Sequence, residues 1–208
     1  MKINFLLSFF WIICVSLSIA QEQKMSATEI STFQDLMRKS TQIKTLTADF
    51  VQYKKVGYVK NELVSSGKFY VKNPDKLAWF YSSPSAYTMI FKDKKMIIEE
   101  KGKKKTMDLG RSKQFEKISQ AIQANMNGST YQGTEFSPSY FQNNKQYILK
   151  LDPIAKDVRK AMKQLIVSFD KSTYQVSEVT LLDNSNGSTR FVFTNQKINT
   201  ALADSIFN

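Results

Sequence analysis

Apolar and polar residues alternate along Leu46-Thr47-Ala48-Asp49-Phe50-Val51-Gln52. They alternate again in Gly67-Lys68-Phe69-Tyr70-Val71-Lys72 and Lys76-Leu77-Ala78-Trp79-Phe80-Tyr81. A period of two puts successive side chains on opposite faces of a strand. Phe50 and Gln52 then face away from Asp49 and Val51. Phe69 and Val71 share a face, as do Leu77, Trp79 and Tyr81. Asn73-Pro74-Asp75 predicts a turn joining two antiparallel strands. Residues 82–85, rich in serine and proline, break the pattern again. Residues 87–91 and 96–100 predict the next hairpin, turning at Lys92-Asp93-Lys94-Lys95. Lys101-Gly102-Lys103 then turns into a strand running through Met107.

Two segments change to helical spacing. Ser26-Ala27-Thr28-Glu29 has the form of a capping box, and Ile30, Phe33, Leu36 and Met37 follow at helical intervals. This predicts a helix over about residues 27–40. Phe115, Ile118, Ile122 and Met126 make a second stripe over 113–126, which Asn127-Gly128 ends. A polar, turn-rich stretch continues to Asn144. Strands resume at 146–151, 165–170, 175–182 and 189–194, with a hairpin turn at Asn184-Ser185-Asn186-Gly187. Residues 155–162 fit either a short helix or a bridging loop. No repeat or linker divides the chain. The pattern predicts an α+β domain: a strongly curved antiparallel sheet, an incomplete β-barrel, with its concave apolar face covered by helices.

The first twenty residues stand apart from this domain. Lys2 precedes a nearly continuous apolar run over 6–17, and Ser18-Ile19-Ala20 offers small residues for cleavage. Residues 1–20 read as a secretion signal and 21–208 as the exported domain, with the periplasm as destination. Cys14 is preceded by the large Ile13, which suits a filler of the apolar run rather than a lipidation site. The exported part then has no cysteine and holds together by its core alone. The formal net charge is +12, almost all of it in residues 21–208. Outside the cytoplasm such a surface meets anionic lipid or an acidic protein more readily than nucleic acid. The aromatics, moreover, sit on the inferred inner face and not among the lysines. Residues 92–105 hold seven lysines and three acids, but the lysine-bearing turns fall at opposite ends of one strand.

Catalysis finds little to use. The chain has no histidine, no phosphate-binding glycine loop and no calcium loop. Glu99 and Glu100 are adjacent on a strand and point apart. No catalytic residue, metal ligand or cofactor is expected, and the chain reads as a non-enzyme. What stands out is an apolar wall formed by Phe50, Phe69, Val71, Leu77, Trp79, Tyr81, Met89 and Phe91. That wall is either a packed core or the lining of a cavity for an apolar ligand. Met37, Met89, Met96, Met107 and Met126 suit a deformable lining. The 113–126 stripe (Phe115, Ile118, Ile122, Met126) is either a lid over it or a permanently packed helix.

These residues resemble the periplasmic outer-membrane lipoprotein carrier family, LolA. The resemblance lies in Asp49-Phe50-Val51-Gln52 after the first helix and in Gly67 to Pro74 running into Trp79 and then Pro84. It continues in Thr189-Arg190-Phe191-Val192-Phe193 with Asn199 and Phe207 beyond. It implies an incomplete barrel with a helix-covered apolar face. It also implies transport of acylated lipoproteins received from an inner-membrane lipoprotein-releasing transporter; the outer-membrane acceptor stays unassigned. The protein would act as a monomer. A second reading is a sensor or interaction module of the same fold, binding a membrane-protein partner without moving lipid. Two departures mark a divergent member. Asn73 stands where well-studied members have an arginine thought to help hold the lid closed, and asparagine cannot form that fork of charged hydrogen bonds. The chain also stops at Asn208, where many relatives continue.

Overall fold

A computed structural model describes residues 21–40, 43–58, 61–108 and 135–208. The predicted leader (1–20) and second helical stripe (113–126) lie outside them. A short strand β1 (Gln23–Lys24) precedes helix α1 (Ala27–Ser40). The capping box forms as read: the Ser26 N–H and hydroxyl donate to the Glu29 carboxylate at 2.7 and 2.8 Å, and the Glu29 N–H donates back to Ser26 Oγ. Two orphan donors of the first turn are thereby satisfied.

Six strands follow as consecutive hairpins: β2 (Thr45–Lys55), β3 (Leu63–Lys72), β4 (Lys76–Ser83), β5 (Tyr87–Lys92), β6 (Lys95–Glu100) and β7 (Lys103–Asp108). The chain resumes with β8 (Phe136–Gln142), β9 (Gln146–Pro153), α2 (Lys156–Ala161), β10 (Gln164–Asp170), β11 (Val176–Leu182) and β12 (Ser188–Ile198). A 3-10 turn at Asp204–Phe207 ends it. The twelve strands make one antiparallel sheet in the order β1-β8-β9-β10-β11-β12-β2-β3-β4-β5-β6-β7. The expected hairpins are all present, and the ambiguous 155–162 segment is the helix α2.

Two sequence expectations are corrected. The stretch before Asn144 contains β8, although Ser137, Pro138 and Ser139 read as turn formers. Its apolar residues Phe136 and Tyr140 are buried, and Pro138 lies opposite Leu151 of β9. Proline fits there because β1 pairs with β8 only at Phe141 and Gln142. The last strand runs past Thr194 to Ile198 through a bulge, where Asn195 has φ 51°.

The faces of the sheet differ. A main core on the inner face joins α1 (Phe33, Met37) to residues from β8 round to β4, with Met89 and Phe91 of β5 packed against it. Phe33 stacks among Tyr140, Tyr147 and Phe169, so α1 rests on β8, β9 and β10. On the outer face a smaller core joins Ala78, Ile90 and Phe207. The 3-10 turn lays Phe207 over β4 and β5, and Asp204 pairs with Lys72 and Lys76 at 3.1 and 2.8 Å.

Curvature has a local origin. The β3–β4 register shifts between Ser66 and Gly67, and such bulges bend and twist a strand. A Cβ built on Gly67 would lie 1.9 Å from the Phe80 carbonyl oxygen. Only a residue without a side chain permits that approach. Gly67→Ala should therefore lower stability by more than about 2 kcal/mol in urea unfolding. Gly102→Ala, at φ 73° with open space around it, should cost about 1 kcal/mol. Equal effects at the two positions would refute the steric account.

Candidate functional site

The inner face of β2–β5 gathers every residue of the predicted wall. Strand register pairs Ala48 with Phe69, Phe69 with Trp79 and Trp79 with Met89. It pairs Val71 with Leu77 and Leu77 with Phe91 as well. Directly opposed residues share a face, so these side chains form one continuous apolar layer.

Phe50 lies opposite Gly67, where no side chain competes for space. Its ring therefore reaches β4 and meets Trp79 and Tyr81 edge-on, at centroid distances of 4.9 and 5.0 Å. Trp79 also contacts Phe69 at 4.2 Å and Phe191 of β12 at 4.7 Å. On a flat sheet, strands three places apart are separated by roughly 14 Å. The contact between Trp79 and Phe191 therefore reflects strong inward curvature, with the two long side chains leaning toward each other.

The structure divides the predicted wall residues by depth. Phe50, Phe69, Val71, Leu77 and Tyr81 are at most 6% exposed. Trp79, Met89 and Phe91 are half-buried on the same face. Phe115, Ile118, Ile122 and Met126 lie outside the described residues. Phe191, Phe193 and Tyr87 were missed. Phe193 contacts Phe69 at 5.3 Å, and Tyr87 stacks on Tyr81 at 4.2 Å. The alternation in Thr189-Arg190-Phe191-Val192-Phe193 was visible, but its pairing with β2 joins residues about 140 positions apart.

Polar groups mark the limits of this layer. The Tyr81 hydroxyl donates to Gln52 Oε1 at 2.6 Å, which gives the glutamine of the Phe50–Gln52 motif a physical role. Burial pushes the Tyr81 hydroxyl far above its ordinary pKa, and Tyr87 adds to the shift. Burial also raises Tyr87. At the opposite rim, Asn73 does not imitate an arginine. Its side-chain amide donates to the Ile43 carbonyl, and its backbone N–H donates to Lys44. It anchors the segment that follows α1. Asn199 supports the same segment by accepting from the Lys44 N–H at 2.7 Å.

A second concavity of about 600 Å³ lies on the outer face, lined in part by Asp49, Lys68, Tyr70 and Asn195. Two of its charges, Asp49 and Lys68, are paired with each other. Asn195 and Lys68 donate to the Asp49 carboxylate at 2.8 and 2.9 Å and hold its pKa below the usual range. The predicted lysine-bearing turns fall at opposite ends of β6, as expected.

The family model described as outer membrane lipoprotein carrier protein LolA matches residues 41–208. MucB is 12% identical, with 88% of this chain and 63% of that chain covered and a TM-score of 0.50. MucB from Pseudomonas aeruginosa has also been solved in complex with MucA. A LolA superfamily protein from Nitrosomonas europaea is 11% identical over 88% of this chain and 98% of that one (TM-score 0.46). The Mycobacterium tuberculosis lipoprotein LppX is 11% identical over 86% and 100% (TM-score 0.46). At such identities the likeness concerns fold alone. No curated protein matches the sequence.

The tyrosines give a pH prediction. A hydroxyl whose pKa is raised in the folded state contributes stability below its unfolded value of about 10. That contribution is lost as pH rises toward the folded value. Base unfolding should begin above about pH 10, and the Tyr81 phenolate absorbance should appear only with unfolding. Tyr81→Phe should remove one phenolate from that cooperative step. Titration of Tyr81 ahead of unfolding would contradict its burial.

Proposed function

The chain belongs to the LolA family, and from that premise we propose that it is a periplasmic carrier. It shields lipoprotein acyl chains against the inner aromatic face while they cross from inner to outer membrane. The observation that carries this reading is the continuation of one apolar layer from buried rings to the half-buried Trp79, Met89 and Phe91. Each acyl methylene taken out of water there gains roughly 0.8 kcal/mol. A few methylenes beyond those already covered suffice to hold a chain without trapping it.

The rings touch one another, so an entering chain must part them. Methionine suits that task, because its unbranched side chain adopts many shapes. Met89 lies opposite Trp79, and Met96 lies opposite Phe91 on the next strand. In this reading α1 covers the far part of the face through Phe33 and Met37. The partners are acylated lipoproteins and the inner-membrane transporter that releases them.

A second reading has its own observation. Five of the eight wall residues are buried, three of them (Phe50, Phe69 and Tyr81) in ring-to-ring packing, as in an interaction module whose core stays permanently filled. Such a module binds a membrane-protein partner on its surface.

Native mass spectrometry of the processed protein from the cell envelope separates the two. A carrier arrives with acylated cargo that detergent releases. Trp79→Asp should reduce cargo retention at least tenfold. Met89→Asp, at a more peripheral position, should do the same with the circular dichroism spectrum preserved. An empty wild-type protein that also refuses added lipoprotein would overturn the carrier reading and favour the module.

A further inference from the structure

The β2–β3 hairpin reaches beyond its neighbour. β2 pairs with β3 out to Lys54 and Leu63, whereas β3 pairs with β4 only from Ser66 onward. The tip of this arm presents apolar side chains to water. Tyr58 is 89% exposed, Leu63 58% and Val64 50%. Lys54 and Lys55 are exposed beside them.

The arm is braced close to its tip, on the side of β12, which flanks β2 out to Lys55. Gly57 sits so close to the β11–β12 turn that an added Cβ would lie 1.9 Å from the Ser185 carbonyl oxygen. The same turn holds α2, because Asn184 Nδ2 donates to the Arg159 and Lys160 carbonyls at 2.9 and 3.2 Å. Arm, turn and helix are therefore one continuous rim, and Arg159 and Lys160 stand exposed on it. Its acids are Glu62, exposed beside Leu63, Asp157 on α2, and Asp183, whose Oδ1 accepts from the Ser185 N–H and hydroxyl and from the Gly187 N–H.

We propose that this rim docks on the headgroup layer of an anionic phospholipid bilayer. Tyr58 and Leu63 enter the interface, while Lys54, Lys55, Arg159 and Lys160 meet lipid phosphates. A tyrosine ring with a polar end suits the headgroup level. Basic side chains near an anionic leaflet are attracted over about a Debye length. Neither signal alone holds a protein on a membrane, and two together do. The shape favours lipid over protein. A stable protein interface needs roughly 800 Å² per partner, whereas this rim offers a narrow apolar tip with cations set behind it.

Flotation of the processed protein with phosphatidylcholine vesicles, with and without phosphatidylglycerol, tests the proposal. Binding should require phosphatidylglycerol and should weaken in high salt. Lys54→Gln and Arg159→Gln should each lower partitioning about fivefold. Tyr58→Ser with Leu63→Ser should lower it further. All four positions are exposed and outside the aromatic layer, so cargo retention should stay unchanged in these variants. That second readout separates failure of the docking from failure of the carrier reading. Absence of binding to anionic vesicles, or binding that ignores the rim substitutions, would overturn the proposal. So would binding only to native envelope vesicles that is lost when their proteins are digested.

Discussion

The missing side chain at Gly67 is the constraint on which the inner face depends. At that position β3 comes within contact of the Phe80 carbonyl, and the β3–β4 register shifts. The gap left on the inner face admits the Phe50 ring, which leans across to Trp79 and Tyr81. Curvature then brings Phe191 and Phe193 of β12 onto the same indole. A backbone feature thus becomes a packing feature. Aromatics on four neighbouring strands converge because the sheet bends where one residue has no Cβ.

A sheet this bent must also solve its other face. The outer side of β4 and β5 carries Ala78 and Ile90, too apolar to leave wet, and the 3-10 turn covers them with Phe207. Asp204 holds the turn between Lys72 and Lys76, and those two lysines keep its carboxyl below the usual range. The ion pairs are exposed and contribute little energy individually. Their role is to fix the direction from which Phe207 arrives. Elsewhere the outward positions mix polar residues such as Asp49, Lys68 and Arg190 with the apolar Val51, Phe141, Ile148 and Val192.

How much of this was legible follows from which contacts are local. The hairpins β2–β7 join neighbouring segments, and the period of two plus turn residues located β4–β7 to within a residue or two, whereas β2 continues to Lys55 and β3 begins at Leu63, beyond the alternating blocks. The wall residues Phe50, Phe69, Trp79 and Met89 were found because that alternation fixes their face. The strand β8 was missed because Ser137-Pro138-Ser139 carries turn chemistry, while its inward positions, Phe136 and Tyr140, are four apart. Phe191 and Phe193 were seen as an alternating strand but not as part of the wall. Their place depends on β12 pairing with β2, a contact between distant segments that no local period encodes. Asn73 was read as a turn former and as a lost arginine. Its bond to Ile43 depends on where the chain returns after α1.

In the proposed carrier reading, the depth of the wall residues bears on how the face releases its cargo. A site that bound acyl chains in a rigid open cavity would gain the full transfer free energy and give the cargo up slowly. Here the buried rings already satisfy one another, so a chain that parts them must replace contacts that exist without it. The net gain is then the difference between two apolar packings, smaller than the gain from water alone. Gln52 and Tyr81 limit the arrangement at one end, because opening the layer past their hydrogen bond would leave a buried hydroxyl unpaired. In the proposed carrier reading, weak net adhesion along the rings and the polar boundary at Tyr81 together let the face shelter a chain for a short time.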